Sequence, residues 1–336
     1  MADNTNPNIE MYGAKIVQAQ LEALLGEIED VRTSDDIEYV HRMRVATRRM
    51  RAVLPIFGPY LAKKKTDAWS DAFRKITKAL GSARDLDVQL EKLTKRFDAD
   101  SDEYKPGLER MILRWKQRRE KAQKSVVKAL DEFQLSGVAQ EIAAKTAPLV
   151  FFSDQIDIHD PALMKLGVTH IRKELSEMLK YDRAIQDPAN VTELHEMRIQ
   201  AKRLRYSMET FAPLFPNELA SQLKLMKSIQ DLVGETHDAD VWIEILPKFI
   251  EDERKLIREF FGDDAPINKL IPGIEDFLAA EKVERDEKYA EFIELWEKTK
   301  KDETWQKFFA LLQESLEPPA PPDLLPETAP EVATDQ

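Results

Sequence analysis

The chain contains no cysteine and only ten glycines among 336 residues. The first absence excludes disulfides, thiolate metal sites and a cysteine nucleophile. It also matches the usage of a reducing compartment such as the cytoplasm. The scarcity of glycine, beside abundant Ala, Leu, Glu, Lys, Arg and Gln, favours helix. No segment shows convincing period-two strand alternation. The one β-like patch, Leu149 to Ile158, reads as a connector. No apolar run approaches the roughly eighteen residues of a membrane span. The start, MADNTNPNIE, lacks the basic end and apolar core of a signal peptide. There is no Walker-type phosphate loop and no G-x-S-x-G elbow.

Positive charge is also in deficit. The chain carries 62 Asp+Glu against 50 Lys+Arg, a formal net charge of -12. That balance argues against a general nucleic-acid binder, which is basic overall. It leaves room for one concentrated basic site, because local fields depend on where charges sit. One stretch runs against the balance. VHRMRVATRRMR, Val40 to Arg51, holds five arginines, one histidine and no acid.

Apolar spacing reads as helix almost throughout. Residues 1–8 are polar and read as disordered. Met11 to Val31 reads as an amphipathic helix with Ile16, Leu21, Leu24, Leu25 and Ile28 on one side. Ser34, Asp35 or Asp36 is placed to cap the helix carrying the basic stretch, and Pro55, Gly58 and Pro59 mark its end or a kink. A third helix spans Leu61 to Leu80 and stops at Gly81. A fourth starts near Asp85 and reaches Phe97, and a long charged one covers Gly107 to Phe133. The segment Glu317 to Gln336 holds six of the eighteen prolines and several acids, and reads as disordered.

The basic stretch occurs twice. HRMRVATRRMRAVLPIFGP begins at His41 and HEMRIQAKRLRYSMETFAP at His195. His41/His195, Met43/Met197, Arg44/Arg198, Arg49/Arg203, Arg51/Arg205, Phe57/Phe211 and Pro59/Pro213 are identical, and Arg48/Lys202 is conservative. Further on, LGSARDLDV from Leu80 matches VGETHDADV from Val233 in the same order and nearly the same spacing. The chain therefore reads as a tandem repeat of a helical unit of about 150 residues, an ordinary domain size. Repeat one covers 9–150. Repeat two covers 155–315 with extra C-terminal helices, and 316–336 forms the acidic tail.

On a helical wheel, Met43, Ala46, Met50, Val53, Leu54 and Phe57 fall on one side as a core stripe. His41, Arg44, Arg48 and Arg51 gather opposite, with Arg42 and Arg49 at the edge. In the second copy His195, Arg198, Lys202 and Arg205 gather opposite Met197, Leu204, Met208 and Phe211, with Arg203 at the edge. A charged helix face is ordinarily just solvated. Solvated faces mix signs in i,i+4 pairs, however, and copy one mixes none. Crowded like charges cost stability unless an anion relieves them, and the planar arginine fork suits phosphate oxygens.

These blocks resemble the signature helices of the CHAD family, an α-helical domain named for its histidine. HRMRVATRRMR and HEMRIQAKRLRY look like its first signature, and GSARDLDV and GETHDADV like its second. The resemblance covers roughly residues 9–315. It implies an all-α fold of two four-helix bundles related by approximate two-fold symmetry, their basic helices facing a central groove or pore. It also implies binding of inorganic polyphosphate, often at polyphosphate granules. Some members carry a triphosphate-tunnel catalytic domain; this chain has no acidic-strand segment of that type, so it reads as a stand-alone binder, not an enzyme, with no cofactor.

The residues expected to contact phosphate are His41, Arg42, Arg44, Arg48, Arg49, Arg51, His195, Arg198, Lys202, Arg203 and Arg205. Arg74, Lys75, Lys78, Lys224 and Lys227 form a second tier, for which ordinary surface positions compete. The basic faces lack the interleaved aromatics of single-stranded nucleic-acid sites; Tyr206 lies only at the end of the second. Protonation of His41 and His195 near the reference value of about 6.5 predicts tighter binding at mildly acidic pH.

Two alternatives stand beside this reading. His237-Asp238 is an HD pair of the kind that holds metals in phosphohydrolases. Its counterpart in copy one is Arg84-Asp85, so the histidine is not repeated, and Asp85 and Asp238 read instead as helix caps that also orient an arginine. The other alternative is a scaffold whose basic faces dock an acidic protein partner.

Overall fold

In the computed structural model the described residues are 6–215 and 218–316, and among them every regular element is helical. The expectations of disorder for residues 1–5 and for 317–336 lie outside the described residues. Residues 6–8 do not fit that expectation: Asn6 caps the first helix by accepting from Ile9 N.

In chain order the helices are α1 (Pro7–Leu25), α2 (Ile28–Thr33), α3 (Ile37–Ala62), α4 (Thr66–Ala99), α5 (Lys105–Leu135), α6 (Val138–Phe151), α7 (Pro161–Leu179), α8 (Val191–Phe211), α9 (Ala220–Phe261), α10 (Ile271–Lys301) and α11 (Thr304–Glu314). The chain between α6 and α7 is a connector with one 3-10 turn at Ser153–Gln155. Asp36, of the three residues offered as cap for the basic helix, is the one that caps it, accepting from Glu38 N.

Several boundaries differ from the sequence reading. The first helix breaks at Gly26 into α1 and α2. Pro55 and Pro59 do not end α3, which carries on to Ala62 because buried Leu54, Ile56 and Phe57 hold that segment in the core. Gly81 is not a stop and Asp85 is not a cap, since both sit inside the unbroken α4. Gly234 and Asp238 likewise sit inside α9. Neither half is a plain four-helix bundle: among the described residues the first holds six helices, α1–α6, counting the short α2, and the second five, α7–α11, with α11 packed on α7.

Helix lengths recur along the chain. α1 and α7 have 19 residues each, and α5 and α10 have 31 each. A third matched block opens the latter pair: Pro106-Gly107-Leu108-Glu109 against Pro272-Gly273-Ile274-Glu275.

Two cores hold the helices. The larger takes the stripes of α3 and α8, and all six stripe residues of α3 named above are buried. Its centre is an aromatic seam. Phe57 and Phe211 lie 5.8 Å apart, and the Tyr12 ring stands 6.0 Å from the first and 6.3 Å from the second. Gly13 and Gly167 make room for these rings; a Cβ at Gly13 would sit 2.7 Å from Phe57. The Tyr12 hydroxyl donates to the Thr210 carbonyl at 2.7 Å, tying α1 to α8. This seam sets α3 beside α8.

The smaller core lies where the far ends of α4, α5, α9 and α10 meet. Trp115 stacks on Trp242 at 5.2 Å, and Trp242 meets Phe277 edge-on at 5.1 Å. Gly107 and Gly273 let α5 and α10 cross backbone against backbone, where a Cβ at Gly273 has no room beside the Tyr104 carbonyl. Buried pairs brace the long helices: Arg119–Asp87 at 2.6 Å and Arg285–Asp240 at 3.0 Å.

The crossing gives a stability prediction. Gly273→Ala overpacks against backbone that cannot swing aside and costs about 1–3 kcal/mol. A lower urea midpoint followed by tryptophan fluorescence is the expected result. An unchanged midpoint shows that α5 and α10 do not cross so closely.

Candidate anion-binding site

With their apolar stripes turned into the core, α3 and α8 present their basic faces to a cavity of about 610 Å³. Arg44, Arg48 and Arg51 line it from α3, and Lys202 and Arg203 from α8. His170, Lys173 and Glu174 of α7 complete one wall. Arg198 lies near enough to Arg44 and Lys202 to act on both through its charge. Tyr206 sits under the Arg48 guanidinium, 5.4 Å from carbon to ring centroid. The aromatic that the sequence placed at the margin thus belongs to the groove.

Arg44 and Arg198 are set in the same way. Each reaches toward an aspartate on the next long helix: Arg44 to Asp85 at 3.4 Å and Arg198 to Asp238 at 3.8 Å. Each buries its Nε without a hydrogen-bond partner among the described residues. Beneath each lies a glycine. A Cβ at Gly81 would stand 3.8 Å from Arg44 Nε, and one at Gly234 3.9 Å from Arg198 Nε. These two mid-helix glycines leave space above which a guanidinium lies, and the aspartate one turn on orients it.

The histidines are also matched in place. Of the charges around it, that of Arg84 acts most strongly on His41. His195 has His237, with the two Nδ1 atoms 3.3 Å apart, close enough for one ring to donate to the other.

Crowding and burial shape the protonation of the site. Burial, then Arg198, Arg48 and Arg44, push the Lys202 amine down to about 7. Burial and the Arg198 charge take His237 down to about 4. His41 and His195 are both lowered, chiefly by burial and then by Arg84 and Arg198 respectively. In the free protein the histidines therefore gain charge below the range expected for an unperturbed imidazole. Asp238 is raised by burial, against the pull of Arg198 and Lys202.

Other predicted contacts are placed elsewhere. Arg42 forms a two-pronged pair with Glu27 at 2.8 and 2.9 Å and lies over Tyr39, outside the groove lining. Glu209 accepts from both Arg49, at 3.4 Å, and Arg205, at 2.8 Å; Arg205 also donates to Gln230. Arg49 and Glu209 face a second cavity of about 680 Å³, with Tyr12 and Lys15. In the second tier, Arg74 pairs with Asp71 at 3.0 Å and Lys227 with Asp231 at 3.0 Å. Lys75, Lys78 and Lys224 are exposed and outside the groove lining. The side chains of the HD pair part company: His237 faces His195 while Asp238 faces Arg198. Among the described residues no group of three or more His, Asp or Glu is placed to hold a metal ion.

Sequence reasoning missed His170 and Lys173, which carry no motif and reach the groove only through the docking of α7. It also passed over Arg84, whose alignment with His237 marked it as the companion of His41.

Comparison with known proteins follows the same outline. The CHAD domain profile matches residues 15–247. An uncharacterized protein of Mycobacterium tuberculosis is 26% identical over 232 residues, covering 68% of this chain. The chain spans only 43% of the length of that curated relative. The crystal structure of the CHAD domain from the plant Ricinus communis superposes with a TM-score of 0.62 at 22% identity, over 85% of this chain and 91% of that one. PptA from Streptomyces chartreusis does so with a TM-score of 0.59 at 16% identity, over 85% and 98%. These two likenesses show a CHAD-like helical fold.

The depressed amine has a consequence for stability. Lys202 keeps its proton in the unfolded chain up to about 10.4 but releases it near 7 when folded. Between those values the unfolded state binds more protons, so stability rises with pH. The expected result is a positive stability slope from about pH 7 toward 10 that Lys202→Met reduces, as read from urea midpoints across that range. Equal slopes in the two proteins show an unperturbed lysine.

Proposed function

The chain belongs to the CHAD domain family, and from that premise we propose that its groove binds inorganic polyphosphate without cleaving it. The single observation that carries the reading is the cavity between α3 and α8. Arg48, Arg51, Lys202 and Arg203 line it with no carboxylate within ion-pair distance among the described residues. Elsewhere the protein neutralises its cations closely, as Glu27 does for Arg42 and Glu209 for Arg49 and Arg205. Cations left unpaired in one cavity gather the charge that a polyanion relieves.

Polyphosphate is a flexible chain of closely spaced anionic groups with no base edges to read. Arginine forks spaced along two helices match it, and affinity arises largely from counterion release. The matched placement of Arg44 over Gly81 and Arg198 over Gly234 supports two halves related by an approximate two-fold axis, with one continuous track between them. Association with polyphosphate granules follows from the same reading. The acidic remainder of the chain turns polyanions away from other surfaces.

Calorimetric titration with long-chain polyphosphate at several salt concentrations tests this, with an electrophoretic check of chain length. Binding is expected to weaken steeply with salt and to leave the chains intact. Arg48→Ala is expected to weaken binding and to lower the salt slope by about 1. Normal binding by a folded Arg48→Glu/Lys202→Glu protein removes the groove as the site. Shortened chains point instead to a phosphohydrolase, and no binding even at low salt points to an acidic protein as the partner.

A further inference from the structure

The two halves of the groove are built from matched positions but not from the same charges. Position 48 in the first half is arginine and its counterpart in the second is Lys202. An arginine keeps its charge at any pH a protein tolerates, whereas a lysine releases its proton when crowded or buried. Resting on the polyphosphate reading above, we propose that Lys202, set among arginines in the cavity wall with no carboxylate paired to it among the described residues, is a proton-accepting subsite of the groove that takes up a proton as the anion binds.

The surroundings of the amine on every side support this. From α3 it is faced by Arg44 and Arg48, and on its own helix by Arg198. From α9 come Asp238 and His237. Arg51, Arg203, and from α7 His170, Lys173 and Glu174 line the same cavity. Asp238 already serves Arg198, and Asp85 serves Arg44. Among the described residues no carboxylate stands within ion-pair distance of Lys202, while three guanidinium groups act on it. The arginines cannot discharge, so the lysine they surround relieves the mutual repulsion by losing its proton. The depressed amine, released near 7, agrees with that geometry.

A phosphate chain in the cavity reverses the local potential. Protonated Lys202 then gains an anionic partner, its affinity for the proton rises, and one proton passes from buffer to the amine. The covalent structure of the polyanion does not change. Interior residues of a long chain carry no proton that titrates near neutrality, so uptake is attributable to the protein.

The test is calorimetry at pH 8 in two buffers of different ionisation enthalpy, HEPES and Tris, with long-chain polyphosphate and the full chain. The buffer dependence of the heat is expected to report uptake of up to about one proton, with affinity falling up to about tenfold per pH unit between 7 and 9. Lys202→Arg fixes the charge; it is expected to lose the uptake and the steep pH dependence and to bind more tightly than wild type at pH 9. Lys202→Met, of similar length, is expected to lose the uptake and to bind more weakly at pH 6, which covers the case of an arginine that fails to fit. Binding with no proton uptake at pH 8, or uptake unchanged in both variants, overturns the inference and leaves the polyphosphate reading standing. Absence of binding by the wild-type protein at low salt overturns the polyphosphate reading itself.

Discussion

Repulsion among the cations of one cavity is the constraint that the rest of the structure must hold against. Arg44, Arg48 and Arg51 arrive on α3, and Lys202 and Arg203 on α8, with Arg198 near enough to act on Arg44 and Lys202. Two helices that bring such faces together do not associate through those faces. They associate through their backs, where Tyr12, Phe57 and Phe211 form one aromatic seam and Gly13 and Gly167 let the rings approach. Burying a large aromatic contributes a few kcal/mol, the scale on which a crowded charge cluster must be offset. The apolar stripe and the basic face are therefore two sides of one requirement.

Carboxylates decide which of the many arginines face the cavity. Glu27 holds Arg42 on the far side, and Glu209 gathers Arg49 and Arg205. Asp85 and Asp238 act differently. Their longer contacts with Arg44 and Arg198 leave guanidinium groups pinned by one edge over a glycine, with much of their charge unspent. An exposed, close ion pair contributes little stability by itself, but its partner is fixed in direction. The acids of this chain do more than set its net charge; they sort cations into those held away from the groove and those aimed into it.

The helical class, the two basic helices and their apolar stripes were legible in the sequence, because period and repetition are local properties. Gly81 and Gly234 were misread for an equally physical reason. A glycine within a helical pattern signals a break unless something outside the helix needs its missing side chain, and that something was an arginine about 37 positions away. Arg42, at the edge of the stripe on the wheel, counted among the expected phosphate contacts until Glu27, fifteen residues earlier, claimed it. The α7 wall was invisible because His170 and Lys173 belong to no motif and reach the groove only through tertiary packing. The block opening α5 and α10 was readable as repeat sequence, yet its meaning, a backbone crossing, depends on two helices meeting in space.

One asymmetry survives all this matching. Where the first half sets Arg84 beside His41, the second sets His237 beside His195, and where the first has Arg48 the second has Lys202. Both exchanges replace a fixed charge by one that can be given up. A cavity built wholly of guanidinium groups has a single response to crowding, which is to move apart. A cavity with Lys202 among its arginines can instead give up a charge in place. The half of the groove richer in titratable groups is thus the half equipped to relieve the crowding of the other.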